Sequence, residues 1–421
     1  MTGHVDAAWR FGRKTGLVLT AGGSRGAYQA GVLKRIGEIP ALRGGPSPFP
    51  IVTGASAGAI NGTLIAGGSE DFHDATRRLA RLWSQLRTEQ VYRTDVRALL
   101  RNGWKLGLDV VTGANFGAGR VASLLDTSPL PAFLKEHLPI GGVGRAIDAG
   151  RLYALAVTAT GYHSGKSYTF IEGRKGHPLW LKSRRVALAT KIGIEHVCAS
   201  ASIPVVFPPA PVMIDGVTAW FGDGALRLTT PMSPAIRLGA NRLLAIGIRC
   251  SAAADNLTRA ELAPAGEEDA MTLRRPPLSQ ICGVFMNAVF LDHLDADLDH
   301  LRRMNELIAA MPEASREAVN GKMREPIKVV EPLAISPSED LAVIANALKH
   351  RIPATVRYLL DALGTPDARS ADLTSYLLFD AEYTRELIRI GYQDASSRID
   401  EIEAFLRQPA VAASRGETAE E

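Results

Sequence analysis

The stretch IVTGASAGAING, residues 51–62, sets a serine between two glycines where a β-branched run meets a run of small residues. Gly54, Ser56 and Gly58 form Gly-x-Ser-x-Gly, the composition of a sharp strand-to-helix elbow. A serine at the tip of such a turn needs neighbours without bulky side chains, and the N-terminus of the following helix stabilises negative charge beside it. Alone the pentapeptide is moderately specific, because packing also produces Gly/Ala-rich turns that contain a serine.

Upstream lies LTAGGSRGAYQAG, residues 19–31, a second glycine-rich turn between an apolar strand and a helix. Such a turn either cradles a pyrophosphate or points N–H groups at an oxyanion. The dinucleotide pattern wants a further glycine where Tyr28 stands. Tyr162 and Lys166 have the Tyr-x-x-x-Lys spacing of a short-chain dehydrogenase, but that pair works only on a helix. GYHSGKSYTF carries Gly161 and Gly165 and runs into strand residues, so a hairpin turn is expected there. Nor does an acidic residue follow the second strand to hold a ribose. The oxyanion use therefore wins: Gly22 and Gly23 can present N–H groups to the oxyanion formed when Ser56 attacks an ester carbonyl. A base is also needed, and WFGDGALRLTTP, residues 220–231, puts Asp223 in a tight Asp-Gly-Ala turn after a short strand.

Together these stretches resemble the patatin-like phospholipases. AGGSRG at 21–26 matches the family's oxyanion loop, GASAG its serine elbow, DGA its aspartate motif, and ASASIPVVFPP at 199–209 the block that precedes the aspartate. The one departure is Ala21, where the family's loop commonly has a glycine. The resemblance covers roughly residues 16–250. It implies a three-layer α/β/α sheet, a Ser56/Asp223 catalytic dyad, an oxyanion hole at Gly22, Gly23 and Ser24, and supporting roles for Arg25, Gly26, Gly54, Gly58 and Gly224. It implies no cofactor and no metal. Replacing Gly23 by valine is expected to leave the fold nearly intact while removing an oxyanion donor.

The rest of the chain fits this frame. LVLT, IVTG, LYALAVTAT, SYTFIE and LLAIGIRC read as strands alternating with helices from Arg25 to Ile36 and from Ala57, an α/β pattern. Residues 1–15 read as an extension, 16–250 as the catalytic domain and 251–277 as a linker or mobile loop. Residues 278–408 read as a helical region, with helices over 278–311, 341–363 (kinked at Pro353) and 373–406, and 409–421 as a disordered tail.

Composition narrows the classes. A net charge of +4 in 421 residues does not argue for nucleic acid. The basic run Arg77, Arg78, Arg81, Arg87, Arg93, Arg97, Arg101 and Lys105, and a second cluster at Lys182, Arg184, Arg185 and Lys191, are solvated faces or a surface for anionic lipid. Cys198, Cys250 and Cys282 read as reduced thiols. No apolar run of about 20 residues and no cleavable leader is evident, so the expected place is the cytoplasm, peripheral at the membrane. His293, Asp297 and His300 share a helical spacing that metal ligands use, yet they flank an apolar stripe where polar residues are ordinary. His196 reads as structural. The apolar stretch from Trp104 to Phe116 reads as core or as a lid.

The sequence thus predicts a serine acyl hydrolase acting on phospholipid or lysophospholipid esters. The alternatives are a thioesterase or small-ester hydrolase on the same dyad, or a membrane-surface scaffold. Oligomeric state is not legible.

Overall fold

β1 (Thr15–Leu19) is buried along its whole length, as a strand covered on both faces must be. In the computed structural model, which describes residues 14–93, 123–250, 293–323, 325–354, 356–357 and 371–407, β1 leads through a short turn into α1 (Gly26–Gly37). Then come β2 (Ile51–Ala55), α2 (Ala57–Gly67), α3 (Phe72–Gln85) and α4 (Leu130–His137). β3 (Ala154–Gly161), β4 (Ser167–Gly173), β5 (Arg185–Ala189) and α5 (Ile194–Ser200) follow. A hairpin of β6 (Ala210–Ile214) and β7 (Val217–Gly222) precedes α6 (Ser233–Arg237) and β8 (Arg242–Ile246). The C-terminal part holds α7 (Leu294–Ala310), β9 (Glu331–Ile335), α8 (Leu341–Ala347), α9 (Ala371–Leu377), α10 (Ala381–Ser397) and α11 (Ile399–Leu406).

The sheet runs β5-β4-β3-β2-β1-β8-β9, with the β6–β7 hairpin attached through β7 to the end of β3. β3, β2, β1, β8 and β9 are parallel. Successive side chains face opposite layers: Leu17 and Leu19 enter one core with α1, α2, α3 and α10, while Val18 enters the other, where Leu294, Leu298 and Leu301 of α7 cover the sheet. The result is a three-layer α/β/α fold. Its parallel strands deliver the turns after β1 and β2 to one end of the sheet, where ligands bind in open α/β folds.

The C-terminal region departs from the expected set of helices in two ways. It contributes a strand: β9 pairs with β8 from Arg242↔Glu331 to Ile246↔Ile335, so residues on both sides of 251–277 share one sheet. Its helices are also shorter than the sequence predicts. The segment from Leu341 ends at Ala347 and continues as a 3₁₀ turn, Lys349–Arg351. Ile352, which precedes Pro353, is extended at ψ 133, because proline disfavours helix in the residue before it. The segment through Leu406 is broken where Asp380 caps α10 by accepting from Glu382 N–H. Residues 1–13 of the N-terminal extension, residues 94–122 with the apolar stretch and Arg97, Arg101 and Lys105, the linker, the first part of the 278–311 helix, Cys282, residues 358–363 of the 341–363 helix and the tail lie outside the described residues, while Thr15, read as the end of the extension, already opens β1.

α10 lies against α1 at backbone contact. A methyl group at Gly391 would stand 2.2 Å from the Tyr28 carbonyl oxygen. Around that crossing Tyr28 Oη donates to Asp394 at 2.9 Å, Arg35 Nε to Ser396 Oγ at 3.1 Å and Thr384 Oγ to the Trp83 carbonyl at 2.8 Å. Tyr28, at the position where a nucleotide turn wants glycine, is thus a buried anchor for the C-terminal helices. Gly391→Ala forces the helices apart and is expected to lower stability by about 1–3 kcal/mol, measured by urea unfolding; an unchanged midpoint would mean the crossing is not this tight.

Candidate active site

The elbow forms where β2 gives way to α2. Ser56 sits at φ 53, ψ −125, a conformation that costs about 1–3 kcal/mol in a residue with a Cβ and persists only where its surroundings enforce it. Enforcement comes from two sides. A methyl group at Gly58 would stand 2.2 Å from the Leu19 carbonyl oxygen, and one at Gly54 would stand 2.1 Å from that of Gly58, so only glycine lets the new helix seat against β1. From the opposite side Ser56 N–H donates to Ser200 Oγ at 2.9 Å, and Ser200 Oγ donates to the Thr158 carbonyl at 2.6 Å. Ser200 belongs to the 199–209 block, but nothing in the sequence assigned it this task.

Asp223 follows β7 and opens a 3₁₀ turn with Gly224. Its Oδ1 accepts Ala225 N–H at 2.8 Å and its Oδ2 accepts the Ser56 hydroxyl at 2.6 Å. The peptide on either side is fixed too, by Asp223 N–H to the Ser202 carbonyl at 2.7 Å and Thr160 Oγ to the Asp223 carbonyl at 2.8 Å. The carboxyl group is buried, and burial, opposed by the bonds from Ser56 and Ala225, pushes its pKa from 3.8 up to about 6. A hydroxyl donating to a buried carboxylate of raised basicity is arranged for proton transfer between them.

The glycine-rich loop after β1 faces the elbow. Gly22 precedes a 3₁₀ turn, Gly23–Arg25, whose opening N–H groups, those of Gly23 and Ser24, have no acceptor within the turn. Gly26 begins α1 against Ala57 and Trp83. Gly23 is at φ +54, and a methyl group there would meet the Tyr376 carbonyl oxygen at 2.3 Å. This corrects the expectation for Gly23→Val: the wider residue pushes on α9 as well as changing the loop. Behind the loop Asn61 Nδ2 donates to the Gly26 carbonyl at 3.0 Å and to Gln29 Oε1 at 2.9 Å, and Trp83 Nε1 donates to Asn61 Oδ1 at 2.7 Å. This buried network ties α1, α2 and α3 together and was not legible in the sequence.

Ser56 and Gly23 open onto a channel walled by apolar groups, among them Ile60, Leu82, Trp83, Leu134, Phe207 and Phe379. The cavity, counted with its open mouth, has a volume of about 480 Å³.

Among the described residues no histidine hydrogen-bonds to Ser56 or Asp223. His196 accepts Gly193 N–H on Nδ1 at 3.0 Å and packs edge-on against Phe170. Asp297 is turned inward to accept Met232 N–H at 2.9 Å, and His293 precedes the first turn of α7. Tyr162 and Lys166 flank the β3–β4 hairpin turn, as expected.

The raised pKa of Asp223 has a defined sign. A folded-state value above the unfolded one stabilises the fold while the group is protonated, and that contribution is lost as pH rises from 3.8 through about 6. Above pH 6 ionised Asp223 costs on the order of 3 kcal/mol at about 1.4 kcal/mol per pKa unit. Asp223→Asn is therefore expected to unfold at higher urea than the parent at pH 8 and at nearly equal urea at pH 4. Equal stabilities at both pH values would mean that the carboxylate is not strained by burial.

A family model described as patatin-like phospholipase matches residues 17–236. Among solved structures, VipD from Legionella pneumophila is similar at 13% identity over 90% of this chain and 67% of its own, with a TM-score of 0.31. Human GIVD cytosolic phospholipase A2 in complex with methyl gamma-linolenyl fluorophosphonate is similar at 12% identity over 97% of this chain, with a TM-score of 0.40, and this chain spans 60% of its length. The ExoU–SpcU complex of Pseudomonas aeruginosa gives 16% identity over 93% of this chain and 77% of that one, at a TM-score of 0.24. No curated protein sequence matches. The family model covers more than half of the chain and spans the loop, the elbow and Asp223, and the chain belongs to the patatin-like phospholipase family.

Proposed function

We propose that this phospholipase cleaves fatty-acyl esters of phospholipids or lysophospholipids through an acyl-enzyme on Ser56, with Asp223 as the base. The observation that carries the reading is the 2.6 Å bond from the Ser56 hydroxyl to Asp223 Oδ2 at the mouth of an apolar channel. In the forward step Ser56 Oγ attacks the ester carbonyl carbon while its proton passes to Asp223. The oxyanion is held by N–H groups of the Gly22–Ser24 loop. Collapse of the intermediate expels the alcohol, which takes the proton from Asp223. Water then attacks the acyl-enzyme with Asp223 again accepting a proton, releasing fatty acid and restoring Ser56. The apolar walls favour a long acyl chain over a small ester, since they offer no hydrogen bonds to polar groups.

α3 links the channel to a surface. Leu82 and Trp83 line the channel from its buried side, while Arg77, Arg78 and Arg81 are exposed on its outer side. Arg78 pairs with Asp74 at 2.6 Å. On our reading this outer side meets anionic headgroups and makes the protein peripheral to a membrane. No helix among the described residues is long and apolar enough to cross one. Replacing Arg77, Arg78 and Arg81 by Gln should weaken binding to anionic vesicles and spare hydrolysis of a soluble ester. Parent binding should also weaken with salt, since exposed charges are screened beyond about 8 Å at physiological ionic strength. Vesicle affinity that survives both changes would reduce the cluster to a solvated face.

Treatment with a fluorophosphonate and mapping of the adduct tests the nucleophile. Labelling should be confined to Ser56 and absent in Ser56→Ala, while His196→Ala, His293→Ala and His300→Ala keep most of the activity. An unlabelled Ser56 in folded protein, or a histidine variant as inactive as Asp223→Asn, would refute the dyad.

A further inference from the structure

α9 meets the oxyanion loop at consecutive residues. The Ser24 hydroxyl donates to the Ser375 carbonyl at 2.5 Å, and Arg25 Nε donates to the Ser375 hydroxyl at 2.7 Å. The Arg25 guanidinium lies over the Tyr376 ring, 4.6 Å from its centre. The Tyr376 carbonyl closes the space above Gly23. Ser24, Arg25, Ser375 and Tyr376 are all buried.

A three-residue 3₁₀ turn makes too few internal bonds to hold its own shape. The direction of its opening N–H groups is set by whatever grips its side chains and carbonyls. In this chain that grip comes from some 350 residues away, outside the segment matched by the family model. From these contacts we infer that Ser375 and Tyr376 are positioning residues for the oxyanion loop, and that α9 completes a site whose reacting groups lie in residues 17–236. Ser375 anchors the loop from two sides: its carbonyl takes the Ser24 hydroxyl and its hydroxyl takes Arg25. Tyr376 limits how far Gly23 can rise. Removing the Ser375 hydroxyl takes one anchor from Arg25, which keeps its contact with the Tyr376 ring, and lets the N–H groups swing from the oxyanion position, while Ser56 and Asp223, which among the described residues make no bond to α9, keep their geometry. The inference rests on the reading of Ser56 and the loop given under Proposed function.

The same kind of bond elsewhere provides a control. Arg35 Nε donates to Ser396 Oγ at 3.1 Å between α1 and α10, about 15 Å along the helix from Arg25 at 1.5 Å per residue. A purely structural role predicts that Ser375→Ala and Ser396→Ala behave alike. The positioning role predicts that Ser375→Ala lowers kcat for a soluble ester by roughly tenfold or more with KM changed by no more than about twofold. Ser396→Ala should leave kcat at the parent value, and both variants should melt within a few degrees of each other. The pH at which kcat reaches half its plateau should be the same in Ser375→Ala as in the parent, because the base is untouched. If Ser375→Ala does not fold, Ser24→Ala decides: it keeps the backbone N–H and loses only the bond to Ser375, and it should show the same fall in kcat. Parent kcat in either folded variant, or a loss matched by Ser396→Ala, overturns the inference. If Ser56→Ala itself retains activity, the underlying reading fails first.

Discussion

A carboxylate sealed from water beneath a serine hydroxyl is the constraint around which this fold is arranged. Asp223 is 1% exposed and Ser56 3% exposed, so in the resting site the hydroxyl and the carboxyl group meet each other and not bulk solvent. Burial raises the energy of the ionised carboxylate, and the positive φ of Ser56 adds backbone strain. Both are unfavourable, and the surrounding bonds hold them in place. Ser200 clamps the elbow to β3, Ser202 and Thr160 clamp the peptide of Asp223, and the parallel strands leave no slack beneath. On the proposed reading, unfavourable local states enforced by a rigid frame make an ordinary hydroxyl and an ordinary carboxyl group into a reactive pair.

That frame is larger than the segment bearing the motifs. β9 extends the sheet beside β8, α10 packs on α1, and α9 seats on the loop that faces Ser56. Phe379, just past α9, also contributes to the channel wall. The C-terminal residues therefore bear on both ends of the proposed chemistry, the oxyanion side and the acyl side, without supplying a group that exchanges a proton.

The elbow and Asp223 were legible in the sequence because backbone geometry restricts composition there: only glycine passes at Gly58, and the loop glycines precede it at the spacing two parallel strands impose. The alternation of strands and helices exposed the α/β class for a similar reason, the short period of buried strands. Other features depend on partners distant in the chain. EPLAI, with a proline and a charged first residue, reads as a strand only once β8 offers it an edge. Ser200 looks like any small residue in a turn until Ser56 N–H stands 2.9 Å away. Pro353 showed in the sequence as a kink, and the chain is interrupted at Ile352 just before it, whereas the overlong 373–406 helix came from reading apolar spacing without the break at Asp380, where a capping carboxylate decides locally. Ser375 and Tyr376 have no local signature at all, since their partners are in the loop at Gly23–Arg25.

The central claim is that a buried aspartate, with no histidine bonded to it among the described residues, takes the proton from Ser56. The direct measurement is the rate of Ser56 acylation by a chromogenic long-chain ester, followed by stopped flow from pH 4 to pH 9. The account predicts one ascending limb with its midpoint at about 6, where Asp223 ionises, and no limb in Asp223→Asn, whose acylation stays near background across the range. A limb of the same midpoint persisting in Asp223→Asn would contradict the account and assign the proton to another base.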